Sequence, residues 1–238
     1  MAINIDTVYQ RVLAMSNKEQ RGYITPLEFD LLANQAQLDI FNQYFYDIGQ
    51  IKRLPTYDNE YSDSVDLLEE KMEIFKVFKN AVVSGDISTT NTIAKENNVY
   101  KLGEVYYTVS GIDYEVEEVT KKELTNIHLS PLTHPSAKRP VFIDKTSTSI
   151  QVFPSTLTMT NLSYNYIKKP ADVSWGYTII SGETLYNANT SVNFELHESE
   201  ETVLVIKILA LAGVVIKDPG LYQISSQEDI KNVQQEKA

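Results

Sequence analysis

The chain has no cysteine, one tryptophan, three histidines and nine glycines. Without cysteine there is no disulfide and no thiolate metal site, while the redox compartment stays open. Every glycine stands alone and no Gly-Lys-Ser/Thr occurs, so a glycine-rich phosphate loop is excluded. No Gly-x-Ser-x-Gly elbow exists either. Apolar runs stay short of the roughly 18 residues that a membrane-spanning helix needs. The opening Met1-Ala2-Ile3-Asn4-Ile5-Asp6 lacks the basic start and apolar core of a signal peptide. Basic residues are outnumbered, 21 against 32 acidic, giving a net charge of −11. No basic run is visible, which argues against a surface that adheres to nucleic acid or membrane.

What is present is enough apolar sequence for a good core. At 238 residues the chain is one large domain or two modest ones. Tyrosine is abundant, with 15 residues. Its large ring and polar tip suit an interface and a wet sheet face equally well.

Helix signals come first. Ile5–Met15 reads as a helix capped by Asp6 or Asn4, with Ile5, Val8, Val12 and Met15 as its stripe. Thr25-Pro26-Leu27-Glu28 carries a capping box, with proline at the first helical position. From there a helix is expected to about Ile48, stopping at Gly49, with Leu27, Leu31, Leu38, Phe41, Phe45 and Ile48 packing the core. Ser62–Phe78 is a further helix candidate capped by Ser62, although Val77-Phe78 could equally start a strand. Ser84–Asn98 reads as loop or weak strand.

The middle of the chain reads as sheet. Glu104–Thr120, Val141–Phe153 and Met159–Lys168 are expected strands. Leu162, Tyr164 and Tyr166 alternate with Ser163 and Asn165, and Ile150 and Val152 straddle Gln151, as in half-buried strands. Thr120 caps a single short helical turn, and Pro131, Pro135 and Pro140 prevent a longer one. Trp175–Asn193 reads as hairpin or extended chain. Thr202–Lys217 follows as a helix apolar nearly all round, buried on most sides or meeting another subunit. Val203, Ile206, Leu209, Ala210, Gly213 and Ile216 form one face, and Asp218-Pro219-Gly220 ends the helix.

Two stretches carry a resemblance. The order of an acidic strand, a capped turn, a proline-containing loop, Arg139-Pro140-Val141-Phe142, Ile150-Gln151-Val152-Phe153-Pro154 and an aromatic strand ending in Lys168-Lys169-Pro170 resembles the β-region of tailed-phage head–tail adaptor and neck-ring proteins. Tyr9-Gln10-Arg11-Val12-Leu13, Asn17 to Pro26 and Phe29 are similar to the N-terminal part of virion structural proteins of crAss-like and related marine phages. With the end of the chain, the resemblance covers most of the sequence.

The resemblance implies an α+β fold: a helical bundle with an inserted small antiparallel β-region. Residues 1–98 would be the N-terminal helical part, 99–193 the β-rich insert, and 194–238 the C-terminal helix and tail completing the bundle. It implies a homo-oligomeric ring, twelve subunits in that family, with the bundle as ring wall and the sheet touching neighbours or the next ring. The ring would extend the portal channel, bind the portal protein, and dock the tail or next ring protein. DNA would pass through without specific binding, past an acidic wall, and no membrane would be involved. The C-terminal segment Gln223–Ala238 would be mobile in the free subunit and become ordered on the portal. Rival readings are a ring protein lower in the tail, a carbohydrate- or receptor-binding module using exposed Tyr and Trp175, and a metal-dependent hydrolase using His197 and nearby acids.

Side chains for chemistry are sparse. His197-Glu198 opens like a zinc-protease helix, but Glu201 stands where the second His belongs. His128 and His134 sit in or beside the proline-rich loop without a carboxylate pair. Asp58, Glu60, Ser62, Asp66 and Glu69 match calcium-loop spacing, yet Asp63 occupies the position that requires Gly, and a capped helix explains the same residues. Glu117 and Glu118 point to opposite faces of a strand, a poor acid/base pair. The expectation is therefore no catalytic residue, no cofactor and no metal, with no stoichiometric zinc or calcium in purified protein.

Overall fold

The computed structural model describes residues 2–17, 24–51, 59–79, 87–89, 91–180, 182–215, 227, 230 and 231. These fall into two compact units, Met1–Ile74 with Pro170–Ala238, and Phe75–Lys169. The Gln223–Ala238 segment lies outside the described residues, apart from 227, 230 and 231.

The first unit holds α1 (Ile5–Asn17), α2 (Pro26–Ile51), α3 (Asn59–Glu73) and α5 (Glu201–Val215). Asn4, not Asp6, starts α1: its Oδ1 accepts from the amides of Asp6 at 2.8 Å and Thr7 at 3.2 Å. Ile5, Val8 and Val12 are buried as the spacing predicts, but Met15 is exposed and Tyr9 takes the buried position. At α2 the capping box forms in both directions. The Thr25 amide donates to Glu28 Oε2 at 2.9 Å, and the Glu28 amide donates to Thr25 Oγ1 at 3.3 Å. The helix runs through Gly49 to Ile51. A lone glycine costs a helix only about 1 kcal/mol and does not have to end it.

α2 turns a different face to the core than its leucines suggest. Phe29, Ala33, Ala36, Ile40, Phe41 and Tyr44 are buried, whereas Leu27 and Leu31 are 70% and 68% exposed. α2 packs against α5, and Ala33 and Ala36 lie on its buried side. α5 buries Leu204, Val205, Ile208, Leu209 and Ala212 against α2 and α1. Of the face expected from Val203 and Ile206, Leu209 and Gly213 are buried, while Val203, Ile206 and Ala210 are half-buried. Ion pairs tie its start in place. Lys71 Nζ lies 2.6 Å from Glu200 Oε1, and Arg11 Nη1 lies 2.8 Å from Glu201 Oε1.

The second unit is built on an eight-stranded sheet, in the order β1-β8-β4-β5-β6-β7-β3-β2. The strands are β1 (Lys76–Lys79), β2 (Ile87–Thr89), β3 (Thr92–Ala94), β4 (Val99–Val109), β5 (Ile112–Glu118), β6 (Val141–Thr146), β7 (Ser149–Phe153) and β8 (Leu162–Lys168). The sheet is curled, as a half-barrel. Ile93, Val105, Tyr107, Val116, Phe142, Ile150, Val152, Leu162, Tyr164 and Tyr166 pack together on one face. On the opposite side α4 (Lys121–Leu129) lays Leu124 and Ile127 over Val141, Ile143 and Phe153.

This overturns the expected helical bundle with a small antiparallel insert. The fold is a mixed α/β one, with five α-helices among the described residues. The sheet begins at Lys76, and β5 pairs with β6 in parallel, so it is neither small nor purely antiparallel. Three features hid its extent. The expected Glu104–Thr120 strand is a hairpin, turning at Ser110 and Gly111 with φ of 52° and 78°, the left-handed pair of a two-residue turn. Val141–Phe153 likewise folds back on itself as β6 and β7. The expected Ser62–Phe78 helix gives way after Glu73 to β1, and Ser84–Asn98 supplies β2 and β3. The Thr120 capping box starts not one turn but the nine residues of α4.

Candidate interaction surface

One side of α2 grips an extended segment of the same unit. Asp30, Asn34 and Gln37 recur at i, i+4 and i+7, which puts them in one row. Running antiparallel to them, residues 171, 173 and 175 of an extended segment point their backbone groups the same way. Gln37 Nε2 donates to the Ala171 carbonyl at 2.8 Å. Asn34 serves Val173 twice, accepting its amide at 2.7 Å and donating to its carbonyl at 2.9 Å. Asp30 accepts from the Trp175 amide at 2.8 Å and from the Ser174 hydroxyl at 3.1 Å. Seven residues of helix rise about 10 Å and four of strand about 13 Å, so the two repeats stay nearly in step across these contacts. Glu195 closes the far end: its amide donates to Gln37 Oε1 at 3.1 Å, and its carboxylate accepts from the Ala171 amide at 3.0 Å.

The row ends at Trp175, which is 4% exposed. Its indole Nε1 donates to Asp6 Oδ1 at 2.9 Å, and its ring lies 4.6 Å from that of Tyr9. The ring is therefore not available to a sugar or receptor, as the module reading of Trp175 requires. Instead it is a root. Tyr177 and Tyr186 pack on it at 5.9 and 5.8 Å, and from them rises a hairpin of β9 (Tyr177–Ile180) and β10 (Glu183–Tyr186). Gly176 is required at its base. A Cβ there would lie 2.2 Å from Thr190 Oγ1 and 2.7 Å from the Thr190 backbone carbon.

The hairpin itself is open. Tyr177, Ile179, Ile180 and Leu185 are 45%, 67%, 58% and 48% exposed. Glu183 is the sole charge between Tyr177 and Tyr186. The arm is thus an exposed, largely apolar hairpin with a single charge, standing on a firm root.

The histidines and the acids beside His197 are engaged in local contacts. His197 Nδ1 lies 2.9 Å from Ser199 Oγ and accepts the Ser199 amide, capping a 3-10 turn over Glu198–Glu200. Glu200 and Glu201 meet Lys71 and Arg11. His128 and His134 stand edge to face, with ring centroids 5.1 Å apart, and His128 also abuts Phe153. Glu60, Ser62, Asp66 and Glu69 lie on the helix α3, which starts three residues before the expected Ser62 cap, and Asp58 is outside the described residues. Among the described residues, no group of three or more His, Asp or Glu could hold a metal. Nor is any described helix long and apolar enough to cross a membrane.

A second surface is acidic. Val105 and Val116 face inward, so the neighbouring Tyr106, Thr108, Asp113, Glu115 and Glu117 of β4 and β5 face out. Tyr106 donates its hydroxyl to Glu104, and Thr108 Oγ1 donates to Asp113 Oδ1 at 2.7 Å. The Glu104 contact, then burial and the charges of Glu104, Glu115 and Asp113, raise the Tyr106 pKa above its usual value.

No family model and no curated protein matches the chain.

Proposed function

We propose that the chain is a structural subunit of a tailed-phage virion: a head–tail adaptor, or neck-ring protein. Copies assemble into a ring that extends the portal channel and docks the tail or the next ring protein. DNA passes through without specific binding, and the work is mechanical rather than catalytic. The observation that carries this reading is the rooted apolar hairpin Tyr177–Tyr186, an assembly arm on a chain of net charge −11. The resemblance over Tyr9–Asp47 and Glu104–Pro170 supplies the virion context. It is the surface and the sequence that support the reading, not the bundle architecture first expected. A ring lower in the tail uses the same chemistry, so position is fixed by labelling the chain in intact particles.

The test is reconstitution. Purified chain mixed with portal rings is expected to add a further ring, visible by electron microscopy. A chain that neither self-assembles nor binds portal or tail rings overturns the proposal.

A further inference from the structure

We propose that the hairpin β9–β10 of one copy seats on the open side of α2 in the next copy, over Leu27, Leu31 and Gln35. Copies then join head to tail. This rests on the ring reading above and adds to it the two surfaces that meet.

The first ground is that the same unit carries two apolar faces of different form. One is the protruding arm. In its register Thr178 pairs with Leu185 and Ile180 with Glu183, so Ile180 and Leu185 share the face turned away from Tyr177 and Tyr186. The other is the solvent side of α2, where Leu27 and Leu31 lie one turn apart with Gln35 beyond them. The four residues from Leu27 to Leu31 rise about 6 Å, close to the spacing of side chains on one face of a strand.

The second ground is charge. Identical chains at −11 repel, and approach most easily through faces free of charge. The exposed positions of α2 are Leu27, Glu28, Leu31, Gln35, Asn42, Tyr46 and Gln50. Glu28 is the one formal charge among them, and Thr25 already holds its carboxylate through amide and hydroxyl. The half-buried Asp39 beside them accepts from Gln35 Nε2 at 2.7 Å. The arm carries only Glu183, which pairs with Ile180 and so stands on the docking face at its tip end. Both faces thus suit an acidic copy of this same chain better than a basic partner, which would find little charge to bind.

The third ground is symmetry. An arm meeting its own copy gives a closed dimer, whereas an arm meeting a different patch repeats from copy to copy, as a ring requires when the rotation closes.

Two double variants test this by native mass spectrometry, alone and with portal rings. Ile180→Glu/Leu185→Glu removes the arm and Leu27→Glu/Leu31→Glu removes the seat. All four positions are exposed, so each variant is expected to keep the wild-type circular dichroism. Each variant alone should stay at the 27.0 kDa monomer, while an equal mixture should give a dimer and nothing larger. A seat variant that assembles like wild type overturns the inference and leaves the ring reading standing. A wild type that never assembles overturns both. The absence of native cysteine adds a direct readout. Copies carrying Ile180→Cys and copies carrying Leu31→Cys should cross-link to each other, and not to copies carrying Leu132→Cys. Equal cross-linking to the Leu132→Cys control overturns the inference.

Discussion

The Trp175 amide donates to Asp30 across 145 positions of sequence, 2.8 Å from amide nitrogen to carboxylate oxygen. The same carboxylate accepts from the Ser174 hydroxyl, so a single side chain on α2 fixes the base of the hairpin. Hydrogen bonds to a charged group contribute about 1.5–3 kcal/mol each, and a donor left unpaired adds its own cost. Asp30→Ala is therefore expected to destabilise the chain by about 2–3 kcal/mol, and Asp30→Asn by roughly half of that. Urea unfolding measures the loss. Hydrogen exchange should locate it, with faster exchange at residues 173–186. An unchanged midpoint would mean that Asp30 does not hold the hairpin.

Gly176→Ala tests the same root from the other side. The new methyl would meet not only Thr190 Oγ1 but also the Thr190 backbone carbon and the Ser191 amide nitrogen, at 2.7 and 2.8 Å. A side chain can swing away, but backbone cannot. Overpacking of this kind costs about 1–3 kcal/mol. Thr190→Ala in the same chain should leave most of that cost in place. Full rescue by Thr190→Ala would show that only the hydroxyl was in the way.

Local signals proved far more legible than the way elements combine. The Thr25–Glu28 capping box was readable because its partners lie three residues apart and need nothing else, and Thr120 was readable as a cap, although its partner Glu123 was not. The alternation of Leu162, Tyr164 and Tyr166 likewise marked a face that is in fact buried. The hairpin turn at Ser110-Gly111 gave a weaker signal, since Ser is a poor left-handed residue, and the strand was expected to run straight through it. The α2 stripe failed only at its N-terminal end: Phe41 is buried as expected, while Leu27 and Leu31, as apolar as any core residue, are exposed and Ala33 and Ala36 are buried instead. The row Asp30, Asn34, Gln37 looks like an ordinary solvated face. Its one clue was that uncharged amides recur at helical spacing between two apolar stripes. Its partners lie 134 to 158 positions away, a separation that no local pattern encodes.

The caps also set a pH dependence. Hydrogen bonds from the Thr120 amide, then from its hydroxyl, hold the Glu123 pKa below its usual value, and Thr25 does the same for Glu28. A folded-state pKa below the unfolded one gives stability that is present above the ordinary glutamate range, about pH 4.3, and lost as pH falls through the folded value. Glu123→Gln keeps an oxygen to accept the same bonds but cannot titrate. Wild type should therefore be the more stable of the two at pH 7, and the gap should close below about pH 4. A gap that is constant with pH would mean the carboxylate charge is irrelevant to the cap.

On the ring reading proposed above, the outward face of β4 and β5 is the candidate channel wall. Asp113, Glu115 and Glu117 alternate along β5, all exposed, with Arg139 no nearer than 4.0 Å to Glu117. A wall past which DNA slides must not gain by releasing counterions from it, and a row of carboxylates offers no phosphate contact. Wild type is accordingly expected to show no measurable binding to duplex DNA even at about 50 mM salt, where phosphate contacts are strongest. Reversing the row, as Asp113→Lys/Glu115→Lys/Glu117→Lys, supplies three such contacts at strand spacing. Binding should then appear, and its logarithm should fall with that of salt at a slope near ~−3, about 0.9 for each phosphate neutralised. The reversed chain, placed in assembled particles, should slow DNA exit. Binding by the wild type with a comparable slope would show instead that basic residues elsewhere meet DNA. The acids of β5 would then serve only to keep the sheet solvated.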